Sequence, residues 1–273
     1  MTFVLLTGAT RGIGRAAAIE IAREGVEIAL VGRDAMRVRV VAQECRAAGG
    51  DAPVHEHVAD LSLMAEVRAL AGTVRDRYEH IDVLANNAGA LFASRKETSE
   101  GFERTFALNH LAPFLLTNLL RDHLRGGRVV TTASDAHTGA RLNLDDLQSK
   151  NAYSAARVYG TSKLCNILFT REIARRAPEL HANCFHPGVV RTGFGKNEMG
   201  LWKILATLGA PFLRSPQRGA RSLIWLALSG DAAGLTGDYI CDEVECVPSA
   251  EARDDKLAEA LWERSAQFVG LHR

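Results

Sequence analysis

Short runs rich in Val, Ile and Leu alternate along the whole chain with longer stretches in which apolar positions recur every three or four residues. FVLLT (3–7), VEIALVG (26–32), PVHEHV (53–58), IDVLAN (81–86), GRVVTTA (127–133), HANCFHP (181–187) and GDYIC (237–241) have strand length and composition. Runs as continuously apolar as the first two predict strands covered on both faces. RAAAIEIARE (15–24), MRVRVVAQECRAA (36–48), MAEVRALAGTVRDRY (64–78), FERTFALNHLAPFLLTNLLRDHL (102–124) and SAARVYGTSKLCNILFTREIARR (154–176) predict helices between them. The alternation predicts an α/β fold, a doubly wound, seven-stranded parallel sheet with helices on both faces. No repeat or linker divides it, so residues 1–273 read as a single domain with its ligand at the strands' carboxyl ends.

The first strand runs straight into Gly8-Ala9-Thr10-Arg11-Gly12-Ile13-Gly14, followed by a helix-like stretch. Glycines there permit a tight turn and close backbone approach to a pyrophosphate, while the free amides at a helix start attract anions. The spacing is G-x-x-x-G-x-G, distinct from the common G-x-G-x-x-G fingerprint, and a glycine turn that merely joins strand to helix is the plainer alternative.

The second strand ends at Gly32-Arg33-Asp34, where NAD-binding domains place an acid for the ribose 2′-hydroxyl. Arg33, with Arg11 from the glycine turn, would instead suit a 2′-phosphate and favours NADP(H) over NAD(H). Both arginines could equally face solvent, and Asp34 could cap the following helix.

Tyr159 and Lys163 stand four residues apart, on one face of a helix. A phenol ordinarily titrating at about 10 is a poor proton donor near neutrality, and an adjacent ammonium is expected to draw that value down.

TGATRGIG, Asp60-Leu61, Asn86-Asn87-Ala88-Gly89, Asn109, Ser134, Tyr159-x-x-x-Lys163 and Pro187-Gly188 together resemble the ordered motifs of the short-chain dehydrogenase/reductase family over nearly the full length. SDAHTG, DLQS, YGTSKLCNILFTREIARR, HPGVVRTG, PQRGA, GDYI and LAEALWERS resemble its retinol dehydrogenase-like branch. The resemblance implies an oxidoreductase in which Tyr159 is the acid or base and Lys163 lowers its pKa and holds the nicotinamide ribose. Ser134 would bond the substrate oxygen, and Asn109 would hold a water linking Lys163 to solvent. It also implies that Asp60-Leu61 meets adenine, that Asn87, Ala88 and Gly89 flank the adenine ribose and pyrophosphate, and that Pro187, Gly188, Val190 and Thr192 hold the nicotinamide carboxamide. Asn86 reads as structural. Ser134 precedes Tyr159 by twenty-five positions, a longer spacing than in the wider family and one that the branch shares. Tyr153 has Arg157 rather than a lysine four residues on and is set aside.

Remaining composition narrows the partners. A net charge of +1 leaves no footprint for nucleic acid. Five cysteines without C-x-x-C spacing read as reduced, buried thiols of a cytoplasmic protein, and His137 and His186 read as loop-fixing groups, with no metal site. A strand beginning almost at Met1 argues against a signal peptide, and no apolar run reaches ~20 residues, so no transmembrane helix is predicted. Between Thr192 and Pro216, Leu201, Trp202, Ile204, Leu205, Leu208, Phe212 and Leu213 form an apolar face. In the family this stretch is the substrate lid, implying a lipophilic aldehyde, ketone or alcohol; a core-packed helix and a weak membrane-surface contact are the competing placements. The family often assembles through the helices of 102–124 and 154–176, so a homo-oligomer is expected. The alternative to an enzyme is a catalytically silent NADP(H)-binding sensor or scaffold, against which the combination of Asn109, Ser134, Tyr159 and Lys163 argues.

Overall fold

The computed structural model describes residues 2–190 and 213–271. Seven strands are parallel, in the order β3-β2-β1-β4-β5-β6-β7: β1 (Phe3–Thr7), β2 (Glu27–Gly32), β3 (Val54–Val58), β4 (Val83–Asn86), β5 (Arg128–Thr132), β6 (His181–His186) and β7 (Tyr239–Cys241). The prediction lacked an eighth strand, β8 (Val244–Glu245), which folds back antiparallel on β7. Its turn is made by Asp242 and Glu243, both at positive φ, the geometry that matches the twist of a two-residue hairpin.

β1 pairs with β2 on one side and β4 on the other, so the strand order reverses at β1 and a crevice opens at its carboxyl end. Alternate residues of β1 serve opposite layers. Val4 and Leu6 join the core under α1 (Gly12–Arg23), α2 (Ala35–Gly49) and α7 (Pro216–Leu228), whereas Phe3 and Leu5 join the core under α3 (Met64–Arg77), α5 (Ala112–Leu120) and α6 (Ala155–Arg176). Burial on both faces is why the strand carries no polar alternation.

The predicted helix of 102–124 is a composite. A single turn, α4 (Arg104–Phe106), passes through a π-helical turn (Ala107–Leu111) into α5. Buried Glu103 starts it by accepting from the amides of Thr105 (2.9 Å) and Phe106 (2.7 Å).

The last helix, α8 (Asp255–Val269), is capped by Asp254 at its start and by left-handed Gly270 at its end. It lies against α5 and α6: Trp262 meets Phe114 edge-on (4.9 Å between ring centroids), stacks on Phe169 (6.0 Å) and receives the Arg176 guanidinium (4.9 Å). The helix pair expected to form a subunit interface is therefore covered by the chain's own C-terminal helix. Among the described residues, no helix is long and apolar enough to cross a membrane.

Candidate active site

The glycine turn lies in the crevice. Gly8 and Gly12 have φ of +66° and +52°, and a Cβ on Gly14 would strike the Gly8 carbonyl, so these positions exclude larger residues. Thr7 and Asn87 stitch the turn to β4. The Thr7 hydroxyl donates to the Ala85 carbonyl (3.1 Å) and accepts from the amides of Asn87 (2.9 Å) and Ala88 (3.1 Å), while the Asn87 side-chain amide donates to the carbonyls of Thr7 (3.0 Å) and Gly8 (3.3 Å). That amide is thus spent on shaping the turn. Asn86 bonds the Thr117 hydroxyl (3.0 Å), fastening β4 to α5.

α1 begins at Arg11 with no side-chain cap and no acid in its first turn, so the positive end of the helix is left without a local counter-charge. This uncapped start, set against a turn too tight for side chains, fits a dinucleotide pyrophosphate. Thr10 packs where a Cβ on Gly32 would fall (2.5 Å), which brings the end of β2 against the turn. Arg33 follows, exposed. Asp34 caps α2 by accepting from the Arg37 amide (3.1 Å) and pairs with its guanidinium (3.4 Å), the capping alternative among the sequence readings. The Asp60 carboxylate likewise closes its own turn on Ser62, and buried Leu61 lies beside Ala88 and Thr7.

Tyr159 and Lys163 meet at the end of β5. The Ser134 hydroxyl bonds the phenol of half-buried Tyr159, and buried Lys163 donates to the Thr132 carbonyl at 2.8 Å, its Nζ 5.6 Å from the Tyr159 ring centroid. Burial pushes the phenol up to about 12, opposed by the Ser134 bond, and pulls Lys163 down to about 8. The expected depression of the phenol by Lys163 is therefore not present. Desolvation dominates both groups, and the ammonium is engaged by a carbonyl.

Asn109 sits in the π-helical turn, completely buried. Its Oδ1 accepts from the Ala90 amide (2.8 Å), and its Nδ2 donates to the Ala90 carbonyl (3.0 Å) and the Ser162 hydroxyl (2.9 Å). A Cβ on Gly89 would lie 3.3 Å from Asn109 Oδ1 and 3.6 Å from Lys163 Nζ, so Gly89 borders both residues. Tyr153 donates to the Phe92 carbonyl (2.7 Å), a loop-fixing bond.

After β6, Pro187 leads to Gly188 at φ +78°, where the Arg214 side chain occupies the space a Cβ would need. Val190 bridges to Arg214 and, with Ile13 of the glycine turn, takes up the space a Cβ on Gly219 would need. Arg214 pairs with Asp242 (2.8 Å for one of two contacts). Thr192 and residues 193–212 of the proposed lid lie outside the described residues; Leu213–Pro216 are described.

Sequence reasoning gave no role to Asp135, Tyr239 or Arg214: the first two lie within the strings SDAHTG and GDYI, but only the fold brings Asp135 against Tyr239 and Arg214 against Gly188. Asn166, three residues after Lys163 on the same helix, was findable: its amide shares the Thr132 carbonyl (3.1 Å). His137 and His186 are loop-fixing groups, as expected: His137 bonds the Ser134 carbonyl, and His186 accepts from the Asp135 amide. Among the described residues, no cluster of His, Cys, Asp and Glu could hold a metal.

The short-chain dehydrogenase family model matches residues 2–199. A candidate daunorubicin C-13 ketoreductase of Streptomyces sp. (strain C5) is 46% identical over 268 residues, covering 98% of this chain and 92% of that protein. Retinol dehydrogenase 12 of Mus musculus is 37% identical, over 98% of this chain and 86% of that protein. The crystal structure of an uncharacterized protein from Mycobacterium paratuberculosis superposes with a TM-score of 0.81 at 31% identity, covering 99% and 94% of the two chains. With its glycine turn in the crevice, its Ser134–Tyr159–Lys163 cluster and these relatives, the chain belongs to the short-chain dehydrogenase family, oxidoreductases that act on carbonyl and alcohol groups.

Proposed function

We propose that the protein is an NADP(H)-dependent oxidoreductase that interconverts a lipophilic aldehyde or ketone and its alcohol, with Tyr159 as the proton donor in reduction. The observation that carries this reading is the bond from Ser134 to Tyr159 at the mouth of the crevice, with Lys163 buried behind it. NADPH supplies the hydride that the substrate carbon receives. The Tyr159 phenol gives its proton to the substrate oxygen while the Ser134 hydroxyl donates a second hydrogen bond to that oxygen, offsetting charge as it develops. Lys163 stands one helical turn behind to return the proton. Because every side-chain bond of Asn109 given above is made within the protein, its part in a proton path falls to its main chain in the π-helical turn.

The cofactor would be held by Gly8, Thr10, Arg11, Gly12, Ile13 and Gly14 at the pyrophosphate, by Asp60, Leu61, Ala88 and Gly89 along the adenosine, and by Pro187, Gly188, Val190 and Thr192 at the carboxamide. Arg33 is exposed beside the turn, and the Asp34 carboxylate is occupied by Arg37; both support NADP(H) over NAD(H). The relatives' names, a ketoreductase and a retinol dehydrogenase, support a lipophilic carbonyl or alcohol as substrate.

Tyr159→Phe should abolish NADPH-dependent reduction across a panel of aldehydes and ketones while NADPH binding, followed by fluorescence, stays within about twofold. Turnover equal to wild type would sink the assignment.

A further inference from the structure

Asp135 follows Ser134 within SDAHTG, where the sequence assigned it no role, yet the structure joins it to groups on two neighbouring strands. Its amide donates to His186 Nδ1 (3.2 Å), and its carboxylate accepts from the Tyr239 hydroxyl (2.8 Å) and lies 3.2 Å from His186 Nε2. A ring nitrogen that accepts an amide proton carries none of its own, so the neutral His186 ring carries its proton on Nε2, the nitrogen on the side of the carboxylate. The same logic applies on the other side of Ser134. His137 Nε2 accepts from the Ser249 amide (3.1 Å), leaving Nδ1–H to donate to the Ser134 carbonyl (2.8 Å). Ser134 Oγ accepts from the Ala136 amide (3.2 Å), which directs its own proton outward.

His186 is the last residue of β6, immediately before Pro187 and Gly188, and buried Tyr239 opens β7. Asp135 therefore ties the strand end carrying Ser134 to the strand end that continues into Pro187-Gly188. Its side chain is 63% exposed, so a contribution confined to fold stability would be small.

We propose that Asp135 is a positioning residue that clamps the Ser134 hydroxyl against the His186–Gly188 segment, setting the distance between the donor to the substrate oxygen and the nicotinamide-facing strand end. This rests on the role given to Ser134 above. The clamp acts only through Ser134, so its loss should matter only while Ser134 is present.

The test is a double-mutant cycle on the full-length protein, with NADPH and the most active carbonyl of an aldehyde and ketone panel. Asp135→Ala should lower kcat about tenfold while the KM for NADPH stays within about twofold, the pattern of a misplaced reacting group. Tyr239→Phe, which removes the hydroxyl bonded to the Asp135 carboxylate, should lower kcat about threefold and carries the test should Asp135→Ala fold poorly. The Ser134→Ala/Asp135→Ala double variant should be no slower than Ser134→Ala alone. Wild-type kcat in both single clamp variants, or losses that multiply in the double variant, would overturn the clamp. Wild-type kcat in Ser134→Ala would instead overturn the role of Ser134, and the clamp with it. A large loss in Ser134→Ala beside wild-type kcat in Asp135→Ala and Tyr239→Phe removes the clamp alone.

Discussion

Lys163 Nζ donates to the main-chain carbonyl of Thr132 at 2.8 Å, which holds a buried amine at the last residue of β5, two positions before Ser134. Burial lowers its pKa from 10.5 to about 8, so the folded state favours the neutral amine more than the unfolded chain does. Where the folded value is depressed, stability is fully present above the unfolded pKa and declines as pH falls toward the folded one. The cofactor-free protein should therefore lose stability relative to Lys163→Met as pH falls from 10.5 to about 8. Urea denaturation across that range measures the difference; a flat difference contradicts the burial argument.

Arg33 and Asp34 divide the labour at the end of β2, one facing solvent beside the glycine turn and the other capping α2. Arg33→Ala should raise the KM for NADPH about tenfold and leave NADH nearly unaffected, as expected for loss of one charge-assisted contact to a phosphate. Equal losses with both cofactors would show that the guanidinium does not read the 2′-phosphate. Asp34→Ala should instead cost about 1 kcal/mol of stability through the lost cap, with little change in cofactor ratio.

Gly14 admits no side chain, since its Cβ would strike the Gly8 carbonyl and lie 2.5 Å from the Asn87 amide. Gly14→Ala must open the turn, and nucleotide affinity measured by titration should fall by about two orders of magnitude. Retained affinity would mean that the turn yields without cost.

His110 is fully buried beneath α8, where its Nε2 lies 2.8 Å from the Ser265 hydroxyl, and burial holds its pKa down to about 3. Its neutral form stabilises the fold fully above 6.5, and that contribution is lost as pH falls from 6.5 toward about 3. His110→Phe should flatten the acid limb of stability between pH 7 and pH 5, whatever its effect at neutrality; an unchanged slope would locate acid sensitivity elsewhere.

Trp262 fastens α8 over the face that Phe114 and Phe169 would otherwise expose. Trp262→Ala should cost about 2 kcal/mol, below the ~3–5 kcal/mol for a fully buried aromatic because Trp262 is only half-buried. Cysteine crosslinking between copies on α5 and α6 should find no contact through those helices, and a crosslink there would refute this.

The strand and helix order, the glycine turn, and the Tyr159–Lys163 pair on one helical face were legible in the sequence because each depends on local periodicity or spacing. Asp34 shows the limit of that logic. Its residue type allowed a ribose contact or a helix cap, and only the position of the Arg37 amide decides between them. The direction of the Tyr159 shift was misjudged for the same reason, since spacing reveals a neighbouring charge but not how far burial desolvates both partners.

Linear order determined which residues stand at the strands' carboxyl ends, because the turns that carry them are encoded within a few positions. Tertiary packing alone decided how their polar groups are spent: Asn109 turned inward to Ala90 and Ser162, Asp135 joined to β6 and β7, and α8 laid over α5 and α6. Those pairings link segments up to 155 positions apart, as between His110 and Ser265, and only the folded chain brings such groups within hydrogen-bonding distance.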